Sequence, residues 1–372
     1  MLKKFKEKIK KGFHRTSLWY GKYERPISSI SLIGGFVFDA LTLERIDRVW
    51  DNFWVLAHII LVGFFMILVH SGDKEEGDET NPVKRYFWYV NILQFFFGGL
   101  LSVFLVFYFR SSDLSVSWPF LFILALAFWA NESLKKHFVR LTFQVSLFFL
   151  SLFSTAIFLV PVIAHQIGTV IFLISGLVSL LFMAVFLYLI HSVNKKVFNK
   201  SKRGIIFSIS AIFIAMNIFY FTNLIPPIPL SLKDLGLYYS LDKNSDGSYS
   251  AKYEEPSFLS FIYVFHDFHV VRGTPIYAYS AIFSPSNLNP TIVHRWQYYN
   301  RGTSKWTDYG KVTLKLVGGR DEGFRTYSVR DDLFLGEWRI SVETTSGQVI
   351  GRERFNVVQV DKLPPLKTRI LN

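Results

Sequence analysis

The sequence predicts an α-helical transmembrane bundle of about seven spans followed by a small all-β, sandwich-like domain. Three observations support this fold class. Hydrophobic residues make up 51% of the 372 residues, which exceeds the share in an ordinary soluble domain. Long apolar stretches recur between residues 27 and 225. After Pro226 the pattern changes to the alternation of β-strands, and a chain of this length has room for both parts.

Seven apolar stretches are candidate membrane spans, because about 20 apolar residues are needed to cross the hydrocarbon layer. The first, residues 27–43, is shortened by Gly34 and Gly35 and interrupted by Asp39. Residues 114–130 are also short and carry Pro119, which neighbouring spans can accommodate. The remaining five are long and uninterrupted: residues 53–70, 87–109, 139–160, 168–190 and 204–225.

The net charge of +13 is a signal of membrane topology. Residues 1–25 and 191–203 carry seven and five of these charges, and the part after Pro226 is nearly balanced, so the basicity does not indicate nucleic-acid binding. Lysine-rich loops stay in the cytoplasm. Seven spans put both basic segments and residues 131–138 there, whereas six spans would put residues 191–203 on the other side from the N-terminus.

We therefore expect a multi-pass membrane protein with a cytoplasmic N-terminus and an extracytoplasmic C-terminal domain. The acidic loop 71–80 would then be cytoplasmic, but acids weigh little in this rule. Residues 1–14 have apolar residues at spacings of three and four. They form either a helix on the membrane surface or a solvated basic tail. The chain has no cysteine, and no disulfide braces the outer domain.

We divide the chain into five segments with different expected roles. A basic cytoplasmic N-terminal segment comes first, followed by a polytopic helical domain, an exit linker and loop, the extracytoplasmic β-domain and a C-terminal tail. Their bounds are residues 1–26, 27–225, 226–257, 258–360 and 361–372.

Five strands are predicted in the β-domain. Each is a short run that alternates apolar and polar residues and is bounded by Gly, Asn, Ser or Pro. They are residues 276–283, 292–299, 311–317, 337–343 and 349–358. Alternation in the second of them puts two sets of side chains on opposite faces, namely His294, Trp296 and Tyr298 against Arg295, Gln297 and Tyr299.

The C-terminal part resembles the bacterial domain of unknown function twenty-nine-fourteen. The resemblance is carried by "VHRWQYYN" (293–300), "GGRDEGFRTYS" (318–328) and "LGEWRISVETTSGQVIGRERFNVV" (335–358), in that order. The stretch "LIGGFVFDALTLERID" also resembles the first hydrophobic segment of membrane proteins that carry this domain. The resemblance implies this architecture and a location in the bacterial inner membrane, but no reaction and no catalytic residues.

Arginine and tryptophan residues of the predicted strands are candidate ligand contacts. We hypothesise that Arg295, Trp296, Arg325 and Arg339 form a surface that binds an envelope protein or a glycan-like ligand, because guanidinium groups and aromatic rings suit anionic and sugar-like groups. In the alternative interpretation, which we favour, the arginines form cross-strand ion pairs, with Glu337, Glu343 and Glu353.

Two other patterns suggest metal ions only weakly. Asp242, Asn244, Asp246 and Gly247 match the first half of a calcium loop, but Tyr253 stands where a bidentate Glu is required. An Asx-rich turn is therefore the preferred interpretation.

The second pattern consists of histidines. His266 and His269, with His294 downstream, could suggest zinc. On a strand, however, the first two point to opposite faces. We expect no metal and no cofactor.

Asp39 and His58 are the notable polar residues within the predicted spans, and an intramembrane carboxylate is expensive enough to suggest a function. Two functions follow. In the first, the chain is a non-catalytic envelope protein whose spans anchor it in the lipid bilayer and whose β-domain binds a ligand or partner. In the alternative, the bundle is an enzyme or carrier for a lipid-linked or small substrate. The sequence shows no nucleophile elbow, phosphate loop or repeated half-bundle, which favours the first.

Overall fold

The structure is a computed structural model. The predictions for residues 1–26 and for the loop at 72–80 lie outside the part it describes. The described residues are 29–43, 49–71, 82–134, 140–255, 265–271, 273–285, 288, 290–316 and 323–371.

Seven helices precede the strands in the described part of the chain, which confirms the predicted order of a helical bundle and a β-region. Six of them are long and apolar enough to cross a membrane. The first is shorter, about 21 Å at 1.5 Å per residue, and contains Gly34 and Asp39. The helices are α1 (Ser29–Thr42), α2 (Val49–Ser71), α3 (Pro82–Arg110), α4 (Leu114–Ser133), α5 (Leu141–Ala164), α6 (Thr169–Val193) and α7 (Lys195–Phe221).

The chain forms two compact units. The first consists of Met1–Val106, Leu124–Leu152 and Phe182–Ser210. The second consists of Phe107–Ile123, Phe153–Leu181 and Ala211–Asn372 and holds every described strand. We call it the strand-bearing unit. It also contains the link between α3 and α4, the link between α5 and α6, and the end of α7.

Eleven strands are described, and they form three sheets. The orders are β1-β5-β8, β4-β10-β9-β6-β7 and β11-β3-β2. β4 pairs with β10 in parallel and the other pairs are antiparallel. The strands are β1 (Ser231–Tyr238), β2 (Ser240–Lys243), β3 (Tyr249–Glu254), β4 (His266–Val270), β5 (Ile276–Phe283), β6 (Thr291–Asn300), β7 (Lys305–Lys315), β8 (Phe324–Arg330), β9 (Gly336–Thr344), β10 (Val349–Gln359) and β11 (Leu366–Leu371).

Buried side chains of two sheets meet in one core, so this part of the chain is a sandwich. Ile276 and Ala278 of β5 pack with Trp296, Trp338 and Phe355 of the five-stranded sheet, and all five are at most 1% exposed. Burial of large apolar side chains is the main favourable term for such a fold. Alternation along each strand supplies the inward set.

All five predicted strands are present, as β5, β6, β7, β9 and β10. The interpretation of residues 226–257 as linker and loop is wrong, because β1, β2 and β3 lie there and β1 pairs with β5 along its length. The C-terminal tail likewise contains β11, which pairs with β3. β1 contains Lys, Asp and Gly, residues that strands disfavour. Its conformation is set by pairing rather than by local preference.

Candidate functional site

β6 lies between β9 and β7 and sends His294 and Trp296 into the core, where both are 0% exposed. The ring nitrogens of His294 lie 2.8 Å from Ser280 Oγ and 2.9 Å from Ser328 Oγ, and Trp296 Nε1 donates to Ser328 Oγ at 3.0 Å. The prediction that Trp296 contacts a ligand is therefore corrected. The opposite sandwich layer covers this face of β6, so Trp296 is a core residue.

The outward side chains of β10, β9, β6 and β7 form two adjacent rows. Cross-strand partners share a face of the sheet, and the register defines each row. We call these rows the basic face: Arg352, Ser341, Arg295 and Lys311 form the first, and Arg354, Arg339, Gln297 and Asp308 form the second.

Arg295 is neutralised within this surface. Its Nε and Nη2 donate to the two carboxylate oxygens of Asp308 at 2.7 and 2.8 Å, and its Nη1 lies 3.6 Å from Glu343 Oε2. Forked pairing of this kind is the strong form of an arginine–carboxylate contact. For Arg295 the structure thus has the cross-strand pair that the alternative interpretation predicted, together with a second partner, Asp308, that it did not.

Arg339 has no such acidic partner in direct contact among the described residues. Its Nε donates to Gln297 Oε1 at 2.8 Å, and its guanidinium carbon lies 4.4 Å from the centre of the Trp306 ring. Burial, followed by the nearby positive charges of Arg352, Arg354 and Arg295, lowers the pKa of Arg339 to about 10. The guanidinium is held in position while its positive charge is only partly compensated.

Positive charge exceeds negative charge across the basic face. Arg354 stands directly opposite Arg339, and like charges in that position destabilise a sheet. The two rows of the basic face hold four arginines and Lys311 but one acid, Asp308, and a second acid, Glu343, lies next to the rows near Arg295. An excess of positive charge on one surface is electrostatically suited to bind an anion.

Arg325 does not join this surface. It lies on β8 of the three-stranded sheet, and its Nη1 donates to the carbonyl oxygen of Gly247. Its predicted grouping with Arg295 and Arg339 is wrong, because adjacency of strands in the sequence does not determine which sheet they enter.

Sequence reasoning missed Arg352 and Arg354 as surface residues. The signal was present in "GRERFNVV", where both alternate with the buried Phe355 and Val357.

The proposed calcium loop is the turn between β2 and β3. Asp246 Oδ1 accepts hydrogen bonds from Ser248 N at 2.8 Å and Ser248 Oγ at 2.6 Å, and these bonds hold the pKa of Asp246 below its usual value. Asn244 Nδ2 donates to Ser248 Oγ, and Gly247 adopts φ +83°. The side-chain oxygens of Asp246 and Ser248 thus accept hydrogen bonds from within the turn, in agreement with the preferred Asx-turn interpretation.

The histidines of β4 are separated, as strand geometry predicts. His269 Nδ1 lies 2.8 Å from Glu254 Oε2, while His266 lies on the other face of the strand. Among the residues that the structure describes, no group of three or more His, Cys, Asp or Glu side chains is arranged to hold a metal ion.

Asp39 and His58 both lie against α3. Asp39 accepts a hydrogen bond from Ser102 Oγ. His58 packs against Gly99, where its Nε2 lies 3.0 Å from the position that a Cβ atom would occupy. Positions three apart share a helix face, so the structure brings the two predicted residues to neighbouring positions on one helix. Hydrogen bonds and small residues of this kind hold transmembrane helices together, which is a packing role.

Residues 289–357 match the model of a family described as "Protein of unknown function (DUF2914)". The match covers β6 to β9 and most of β10 and confirms the resemblance carried by the His-Arg-Trp strand and the closing hairpin. No functionally curated protein matches the chain.

Similar solved structures include an immunoglobulin-like protein from Pseudomonas aeruginosa, at 13% identity and a TM-score of 0.23, covering 35% of this chain and 96% of that one. A β-glucosidase from Listeria innocua is also similar, at 13% identity and a TM-score of 0.19, covering 33% of this chain and 16% of that one. Both TM-scores are too low to carry an argument about fold or function.

Proposed function

We propose that this chain is a non-catalytic, multi-pass protein of the bacterial inner membrane whose extracytoplasmic β-domain binds an anionic envelope ligand through the basic face. The observation that carries the proposal is the direct opposition of Arg339 and Arg354 within two rows of cationic side chains. Such an arrangement costs stability in the absence of a ligand. It gains binding energy when carboxylate or phosphate groups approach, because the guanidinium fork matches both.

The links of the strand-bearing unit support the extracytoplasmic side. Ile167, in the link between α5 and α6, packs on the sandwich core, and Gln348 Nε2 donates to the carbonyl oxygen of Ile225 beyond α7. These contacts support a sandwich on the side of the membrane where α5 and α7 end and α6 begins. The basic start of α7, at the opposite end of the helix, favours the cytoplasm.

An acidic glycan suits the basic face better than a single small anion. Trp306 lies under Arg339 and its ring centre is 5.3 Å from that of Tyr299, so aromatic rings border the guanidinium groups. Sugars stack on such rings while their carboxylates bind arginine. The ligand would be an acidic polysaccharide of the envelope.

We expect the Arg339→Gln, Arg354→Gln double variant to bind an acidic oligosaccharide at least about tenfold more weakly than the wild type, the equivalent of about 1.4 kcal/mol. The probe is an alginate oligosaccharide, and binding is measured calorimetrically with the full chain in mild detergent. A neutral dextran oligosaccharide of equal length should not bind.

The matched control is Arg301→Gln. Arg301 lies outside the basic face, is 78% exposed and pairs with Glu337 at 3.0 Å, so its loss should leave binding unchanged. Equal binding by the double variant and the wild type would contradict the proposal. Binding of polyglutamate but not of alginate would assign the face to an acidic protein instead.

A further inference from the structure

Gln297 lies in the second row of the basic face, between Asp308 of β7 and Arg339 of β9. It is only 3% exposed, whereas Asp308 is exposed and Arg339 is half-buried. A buried side-chain amide needs hydrogen-bond partners for both its oxygen and its nitrogen. Gln297 has one such partner on each side, and the two partners carry opposite charges.

The two hydrogen bonds fix the orientation of the Gln297 amide. Its Nε2 donates to Asp308 Oδ1 at 2.6 Å, and its Oε1 accepts from Arg339 Nε at 2.8 Å. An ionised carboxylate only accepts hydrogen bonds, and a guanidinium only donates them. With the amide turned round, oxygen would face the carboxylate and the NH₂ group would face the guanidinium, so neither contact would be a hydrogen bond. The two neighbours therefore allow a single orientation of the amide.

The amide of Gln297 places a neutral group between Asp308 and Arg339. Both carboxylate oxygens of Asp308 accept hydrogen bonds from Arg295, which is thereby neutralised. Arg339 instead meets the uncharged oxygen of Gln297. A carboxylate in that place would pair with Arg339 as Asp308 pairs with Arg295. The neutral side chain of Gln297 thus preserves the positive charge of Arg339 for a ligand.

The contact with Gln297 also leaves Arg339 one edge for binding. A guanidinium can hold a carboxylate through Nε and one terminal nitrogen, as Arg295 holds Asp308, or through its two terminal nitrogens. In Arg339 the Nε–H is already bonded to Gln297, and the Trp306 ring covers one face of the guanidinium. The terminal nitrogens make no hydrogen bond to the described residues. They form the fork that remains for a ligand.

We propose that Gln297 is the positioning residue of the basic face: it holds Arg339 so that the two terminal nitrogens present a fork to one carboxylate of the ligand. This inference rests on the proposed function, and it names the residue that prepares Arg339 for an acidic glycan. An arginine that is already held in place loses less side-chain freedom on binding. Gln297 therefore strengthens binding without touching the ligand.

Two substitutions of Gln297 separate the position of Arg339 from its charge. Gln297→Met keeps the length of the side chain and removes both hydrogen bonds, so Arg339 stays charged but is no longer held. We expect this variant to bind alginate about threefold to tenfold more weakly, with the salt dependence of the wild type. Gln297→Glu puts a carboxylate on Arg339. We expect it to bind at least about tenfold more weakly and with a shallower salt dependence, because one cation fewer meets the ligand.

The affinities are measured calorimetrically at low and high salt, with the full chain in mild detergent and an alginate oligosaccharide as the probe. The matched control is Gln348→Met, because Gln348 is also a buried glutamine, is 6% exposed and donates to the carbonyl oxygen of Ile225 outside the basic face. This variant should bind as tightly as the wild type. A near-ultraviolet circular dichroism spectrum like that of the wild type shows that a variant is folded, and if Gln297→Glu does not fold, Gln297→Met decides the test.

The outcomes separate this inference from the proposed function. If the wild type binds alginate and the folded Gln297→Met variant binds it equally tightly, the positioning role is wrong and the proposed function stands. The positioning role is also wrong if Gln348→Met weakens binding as much as Gln297→Met does, since the loss would then come from general destabilisation. Absence of alginate binding by the wild type itself would overturn both proposals.

Discussion

Replacing Trp296 with alanine is expected to lower the Tm of the strand-bearing unit by roughly 10 °C. The side chain is 0% exposed, packs against Phe355 in the sandwich core and donates to Ser328 Oγ. Truncation of a buried tryptophan costs about 3–5 kcal/mol, and in a unit of this size 1 kcal/mol corresponds to about 2–4 °C. Thermal unfolding of the full chain in detergent, followed by near-ultraviolet circular dichroism, measures the loss.

The matched control for this prediction is Trp306→Ala. Trp306 lies on the outer side of the same sheet, where it stacks on Arg339, so its truncation leaves no enclosed cavity and should lower the Tm by only a few degrees. Should Trp296→Ala unfold at the wild-type temperature while losing alginate binding, Trp296 would be a ligand contact and its assignment to the core would be wrong.

The Glu353→Gln variant is expected to lose about 2 to 3 kcal/mol of stability as the pH falls from 7 to 4.5, whereas the wild type changes little. Burial lowers the pKa of His294 from 6.5 to about 4. Below pH 6.5 the His294 side chain is therefore protonated in the unfolded chain while it stays neutral in the folded chain. The contribution of His294 to stability is complete above pH 6.5 and is lost as the pH falls towards 4.

Glu353 offsets this loss in the wild type. Burial, followed by the charges of Asp113 and Asp234, raises its pKa from 4.5 to about 7, so the folded chain binds a proton that the unfolded chain has released between these two pH values. The contribution of Glu353 to stability is then complete below pH 4.5 and is lost as the pH rises through 7. The two contributions have opposite slopes over the same window and similar size, because the pKa falls from 6.5 to about 4 for His294 and rises from 4.5 to about 7 for Glu353.

Both proteins are denatured at pH 7 and pH 4.5, and the difference between their pH dependences isolates the Glu353 contribution. The further variant His294→Gln, with Glu353 intact, should instead gain stability as the pH falls. If wild type and Glu353→Gln show the same pH dependence, the raised pKa of Glu353 is refuted. If His294→Gln loses stability on acidification as Glu353→Gln does, the cause is a different group.

The helices and most of the sandwich strands follow from local sequence pattern. Apolar length identifies the spans, since a helix satisfies its backbone within one segment, and alternation identifies β5, β6, β7, β9 and β10. β1 and β11 have no clear local signal and become strands only through pairing with β5 and β3. Local preference is weak beside the hydrogen bonds and side-chain contacts of a sheet.

The sequence predicted the chemical character of the candidate site but not which residues form it. Arginine and aromatic residues on alternating positions predicted a cationic surface, and Arg295 and Arg339 lie in it. Which face of β6 turns inward, and hence the burial of Trp296, depends on the opposite layer of the sandwich. The charge of Asp113 acts on Glu353, although the two residues come from distant parts of the chain. Periodicity is a property of neighbours along the chain, whereas sheet order and cavities are decided by contacts between segments far apart in sequence.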